Sequence, residues 1–208
     1  SSMTQVDSSV FRKYDIRGTV AGEKVQLTPE LARLVGKALG TYLPREFNTD
    51  HMFVGQDNRM SSASLKMALI EGVASTGLNV TDIGEVLTPT VYFASASYGD
   101  RGAGVMITGS HLDTRYNGIK MAFGALALAD TQIQELLRII QADAFAKGQG
   151  HVDQDFNMLH KHMETIKGLV KIERPLKIAM DSGNGLSGTC IPPILQDLGI
   201  EGHCLYCE

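Results

Sequence analysis

The stretch VMITGSHLDTRYNGIKM, Val105 to Met121, passes from an apolar run into Gly109, Ser110 and His111, and then into an amphipathic segment carrying Lys120. Gly109 permits a sharp turn and close backbone approach, which presents Ser110 at the end of a strand, where side chains are free to carry chemistry. A serine hydroxyl is a poor nucleophile by itself; it needs a neighbouring base, a metal, or a phosphoryl group already attached. His111 is badly placed as that base, because consecutive residues of an extended segment point to opposite sides. No G-x-S-x-G occurs, which disfavours a hydrolase elbow. On residue types and spacing alone, an ordinary polar turn is the simpler account of Ser110 and His111.

Three other polar sets carry the same ambiguity. FRKYDIRG places Arg12, Lys13, Tyr14, Asp15 and Arg17 ahead of Gly18, enough cationic charge to hold a phosphate, or a turn that pairs with itself through Asp15. GQDNRMSS offers Arg59 to an anion, yet Asp57 and Ser61 at a helix start are sufficiently explained as caps and an internal ion pair. MDSGNGLSG has Gly183, Gly185 and Gly188 in formal G-x-G-x-x-G order, but no complete strand-helix-strand unit with a distal acid follows, so tight packing is the better reading. Cys204 and Cys207 beside His203 have knuckle-like spacing without a second ligand pair, and a zinc-binding module is a weak alternative. His160 and His162, two apart on a helix, point in different directions and read as a solvated face.

The elements that must position these groups alternate. LTPELARLVGKALGTYL opens with Thr28 as N-cap and Pro29 at the first helical position, and its apolar residues recur at helical spacing. HMFVGQ, LNVTDIG, AGVMIT and GIKMAF read as strands; SSASLKMALIEGVASTG, TPTVYFASASYG and DTQIQELLRIIQAD read as helices, the first with serine caps and the last capped by Asp130. Strands and helices taking turns predict an α/β layered domain. DQDFNMLHKHMETIKGLVKIERP reads as one long helix, after which LKIAMD begins a new unit too short to bury its own faces. The expected division is a domain over 1–150, a connecting helix over 151–174, and the start of a second domain over 175–208.

The 208 residues are 43% hydrophobic, enough for a sizeable core. A net charge of −4 and pI near 5.9 give no general reason to seek nucleic acid or an anionic membrane. The N-terminus has no signal-like pattern, and no run is long and apolar enough to span a bilayer, so cytoplasm is the expected location. Three cysteines fit a reducing compartment.

Taken in order, FRKYDIRG, GQDNRMSS, TGSHLDTRYNGIK and MDSGNGLSG resemble the α-D-phosphohexomutases, in the phosphomannomutase/phosphoglucomutase branch. The resemblance implies a three-layer α/β/α first domain with a mixed sheet, followed by the start of a second, similar domain. It implies that Ser110 carries a phosphoryl group, that Lys120 acts as general acid or base, and that Arg17 stabilises transferred charge. Tyr14, His111 and Asn117 would contact substrate, a mannose or glucose 1- or 6-phosphate. Mg²⁺ would be held by phosphorylated Ser110 together with an aspartate loop that the family carries further along the chain. The N-terminal portion alone is expected to lack turnover, and the rival expectation is a non-catalytic sugar-phosphate-binding module. One departure stands out: where the family usually has S-H-N-P, this chain has Ser110, His111, Leu112 and Asp113.

Overall fold

The computed structural model describes residues 5–124 and 126–170. The expectations for residues 171–208, including the glycine-rich MDSGNGLSG, the cysteine pair and the second domain, lie outside the described residues.

The elements run β1 (Ile16–Thr19), α1 (Pro29–Phe47), β2 (His51–Gln56), α2 (Ser62–Ala74), β3 (Asn79–Glu85), α3 (Thr88–Tyr98), β4 (Gly102–Ile107), β5 (Tyr116–Phe123), β6 (Leu126–Ala127), α4 (Asp130–Gln141) and β7 (Val152–Gln154). A further helix, α5, covers 158–170. The sheet order is β1-β5-β4-β2-β3-β7, with β6 against β5. Strands β4, β2, β3 and β7 are parallel, while β5 runs antiparallel to both β4 and β1. This is the mixed sheet of an α/β/α layered domain.

Period-2 alternation sorts the strand residues onto two cores. Met52, Val54, Val105, Ile107, Ile16 and Ile119 pack in the core that includes residues of α1, α2 and α4. Phe53, Ile83 and Met106 pack in a second core with Val91 and Phe93 of α3 and Met158 of α5. Helices α1 and α2 approach closely through Gly36 and Gly72, where a Cβ would run into the facing helix's carbonyls.

Local chemistry sets the helix ends. Thr28 Oγ1 accepts from Leu31 N at 3.1 Å, as expected of an N-cap. Helix α1 continues through Pro44 to Phe47, four residues beyond the apolar repeat. Helix α4 starts at Asp130 with Ala129 as its cap residue, so the expected cap acid lies one residue inside; the Gln132 side chain accepts from Ala129 N at 2.9 Å. The serines before α2 do not cap it through their hydroxyls.

The long helix predicted after 150 begins only at 158, because Val152–Gln154 pair with β3 and Asp155 then turns the chain, accepting from Asn157 N. His160 is exposed, but His162 is not on a solvated face: it is 1% exposed, stacked on Phe93 at 4.8 Å and hydrogen-bonded to Thr90 Oγ1 at 2.9 Å. Helical geometry separated the two histidines correctly, but the packing of α5 on α3 turned one of them inward.

Candidate active site

Parallel strands β2 and β4 end side by side, with Asp57 N donating to Ile107 O at 2.9 Å. Ligand sites of open α/β sheets gather beyond such carboxyl ends. The loop following β4 carries Ser110, which is exposed and adopts φ +52°, a left-handed conformation uncommon for serine. Its N–H donates to Thr108 Oγ1 at 2.9 Å.

Asp57 sits beneath this turn. Its carboxylate accepts from Gly109 N at 3.1 Å, from Arg59 N at 3.1 Å and from Ser62 Oγ, and it is hydrogen-bonded by Thr108. Burial pushes its carboxyl up, but these hydrogen bonds outweigh burial and hold it below the usual carboxylate value. Arg59, expected to pair with Asp57, does so at 3.2 Å. Its reach goes further than that reading: the guanidinium also donates to the carbonyls of Ser110, Leu112, Asp113 and Tyr116. The sequence signal for this was indirect, an irregular hairpin connection whose carbonyls needed donors.

The departure at Leu112 and Asp113 has a structural answer. Asp113 Oδ1 accepts from Arg115 N at 2.9 Å, and the two side chains pair at 3.0 Å. A side-chain-to-backbone turn of this kind bends the chain at the position of the departure.

Lys120 and Arg17 reach the same face of the sheet. Arg17 is opposite Gly118 across β1 and β5, and Lys120 follows Gly118 by two residues, on the pleat's same side. Thr108 N donates to Gly118 O at 2.9 Å, so the row Thr108, Gly118, Arg17 leads from the serine turn to the edge strand. Arg17 is one-third exposed and donates twice to Asp15 Oδ2, at 2.8 and 3.1 Å. That leaves guanidinium donors on its outer side. Lys120 is half-buried, and its side chain makes no hydrogen bond or ion pair among the described residues.

The remaining candidates divide. Tyr14 is 70% exposed at the turn before β1, and His111 is exposed next to Ser110. Asn117 is fully buried: its amide donates to Ser61 Oγ at 2.8 Å and Ser62 Oγ at 2.9 Å, and its Oδ1 accepts from Gly118 N. It ties β5 to the start of α2 beneath the turn. Among the described residues no group of three or more His, Cys, Asp or Glu could hold a metal ion. No described helix is long and apolar enough to cross a membrane.

Residues 8–147 match the family described as phosphoglucomutase/phosphomannomutase, alpha/beta/alpha domain I. The chain belongs to that family. Among relatives of this phosphoglucomutase/phosphomannomutase-family chain, the phosphomannomutase/phosphoglucomutase of Pseudomonas aeruginosa is 38% identical over 97% of the chain and 42% of its own length. A probable phosphoglucosamine mutase of Pyrococcus abyssi is 39% identical over 86% of the chain and 39% of its own length. A solved phosphoglucomutase/phosphomannomutase family protein of Burkholderia thailandensis aligns with TM-score 0.67 at 35% identity, covering 74% of this chain and 34% of that one. The chain therefore spans less than half the length of the curated relatives it matches.

Proposed function

We propose that the protein carrying this chain interconverts hexose 1-phosphate and hexose 6-phosphate, of mannose or glucose, with Ser110 as its phosphoryl carrier. The observation that carries this reading is the presentation of Ser110: an exposed hydroxyl on a strapped turn, with no histidine hydrogen-bonded to it among the described residues and two cationic side chains on the adjoining sheet face. Such a site suits transfer of a preformed phosphoryl group better than attack by an activated serine.

In the proposed cycle the Oγ–P bond of phosphorylated Ser110 breaks as a free sugar hydroxyl bonds to the phosphorus. The hydroxyl proton passes to Lys120, which delivers it to the departing Ser110 Oγ, and Arg17 offsets charge on the phosphoryl oxygens. The resulting bisphosphorylated sugar turns over and returns its other phosphoryl group to Ser110, with Lys120 carrying the Ser110 hydroxyl proton to the departing sugar oxygen. Tyr14 and His111, both exposed, contact the sugar phosphate; Asn117 serves from below, by holding the floor of the turn. Mg²⁺ supplies charge neutralisation in phosphoryl transfer. On the described residues it could be held only through the phosphoryl group of Ser110, so no step is assigned to it.

Intact-mass spectrometry tests the reading. A phosphoryl adduct on Ser110, chased off by hexose phosphate in the intact protein and absent from Ser110→Ala, is the expected result. Binding of sugar phosphate with no adduct and no label exchange would replace the mutase with a non-catalytic binding module.

A further inference from the structure

A guanidinium has five N–H donors in a rigid planar fork. In Arg59 all five have acceptors within the domain. Nε donates to Asp57 Oδ2 at 3.2 Å; Nη1 donates to Asp113 O at 2.7 Å and Tyr116 O at 3.3 Å; Nη2 donates to Ser110 O at 3.1 Å and to Leu112 O. The side chain is only 15% exposed. Although Arg59 lies directly beside the serine turn, it has no donor left for an incoming phosphate.

We infer that Arg59 is the positioning residue of the Ser110 loop, a five-donor template whose convergent carbonyl contacts hold the serine in its left-handed conformation with the hydroxyl outward. This rests on the proposed phosphoryl transfer and deepens it. Ser110 is fixed from both sides of its peptide plane pair: its carbonyl by Arg59, its N–H by Thr108 Oγ1. A serine does not settle at positive φ without such restraint. The N–H groups of Gly109 and Ser110 are consumed by Asp57 and Thr108 beneath the turn, so neither is available to wrap a phosphoryl group on Ser110. The loop thus grips the serine and leaves the phosphoryl group to the outward cations Arg17 and Lys120, a division that favours release in either direction.

Lysine cannot replace Arg59, because a point charge with three donors does not match five acceptors spread over a planar fork. In the intact protein, Arg59→Lys and Arg59→Ala are expected to lower kcat by about 100-fold with KM changed less than about threefold, the signature of a misplaced reacting group. Millimolar methylguanidinium should restore Arg59→Ala by tenfold or more and leave Ser110→Ala inactive. A wild-type rate in Arg59→Lys would overturn the inference, and so would a raised KM at unchanged kcat, which would make Arg59 an anion contact. If neither Arg59 variant folds, the isosteric Thr108→Val, which frees the Ser110 N–H and removes one hydrogen bond to Asp57, decides the matter: a loss in kcat of about tenfold is expected, and an unchanged kcat overturns the inference. Single-turnover label transfer from wild-type Ser110 is run alongside. Absence of transfer there defeats the mutase reading and this inference together, whereas normal transfer in wild type and variants alike defeats the inference alone.

Discussion

Gly109 and the Arg59 guanidinium share one volume: a Cβ built on Gly109 would fall on Cζ, Nε and Nη1 of Arg59. Gly109 is not among the left-handed residues, so its lack of a side chain serves close approach and not backbone freedom. Gly109→Ala should therefore destabilise the chain by about 1–3 kcal/mol through overpacking. In an Arg59→Ala background, where the volume is vacant, the same change should cost less than about 1 kcal/mol. Urea unfolding of the four proteins of the cycle measures the coupling, and equal costs in both backgrounds would separate the two residues.

Asp57 gives the turn an acid limit. Its native pKa is depressed, so the stability it contributes is fully present above its unfolded value near pH 4 and is lost as pH falls through the lower native value. Asp57→Asn lacks this ionisation. The stability gap between wild type and Asp57→Asn should be widest near neutrality and should narrow below about pH 4. A gap of constant size down to pH 3 would mean that the charge of Asp57 contributes nothing.

Beneath the same turn, Asn117→Ala leaves Ser61 and Ser62 without their amide donor and Gly118 N without its acceptor. The expected loss is about 1–3 kcal/mol with no sugar present. Unchanged melting of the chain, paired with a raised KM in the intact protein, would move Asn117 from the floor of the site to its ligand.

The alternation of apolar runs and capped helices made the layered fold readable, because buried parallel strands such as VGQ and GVMI and the amphipathic α4 carry their environment in their composition. Strands β1, β6 and β7 were not legible: each has only two to four residues, and pairing to a neighbour rather than local pattern makes them strands. Ser110 stood out because a strand stopped at it. The carbonyl contacts of Arg59 and the enclosure of His162 did not, since those partners are 51 to 57 and 72 residues away in sequence, and a charged or titratable side chain reads locally as solvated or locally paired until tertiary packing encloses it.

Lys66 of α2 is a further instance of such enclosure. It pairs with Asp82 of β3 at 2.9 Å, and both side chains are more than nine-tenths buried. Asp82 also accepts from Gly84 N at 2.9 Å. Lys66→Met leaves a buried carboxylate without its cation and should cost about 3–5 kcal/mol. Lys66→Met combined with Asp82→Asn removes the stranded charge, so the double variant should be more stable than the single one by calorimetry. The reverse order would show that water reaches Asp82 once the lysine is gone.

Lys120 tests the working face of the sheet. It lies diagonally across from Arg17, which is opposite Gly118, and a Cβ at Gly118 would crowd Ile16 O and Thr108 O. Because Lys120 has no ion pair among the described residues, Lys120→Met should leave the melting temperature of the chain within about 2 °C, as for a surface substitution of under about 0.5 kcal/mol. Turnover in the intact protein should nevertheless fall by about 10²–10⁴, the range of a lost general acid-base group. The phosphoryl group on Ser110 should persist in that variant, since its departure requires a proton acceptor for the incoming hydroxyl. Mass spectrometry of Lys120→Met after mixing with hexose phosphate reads this directly: a retained adduct is expected, and discharge at the wild-type rate would assign the proton to another group.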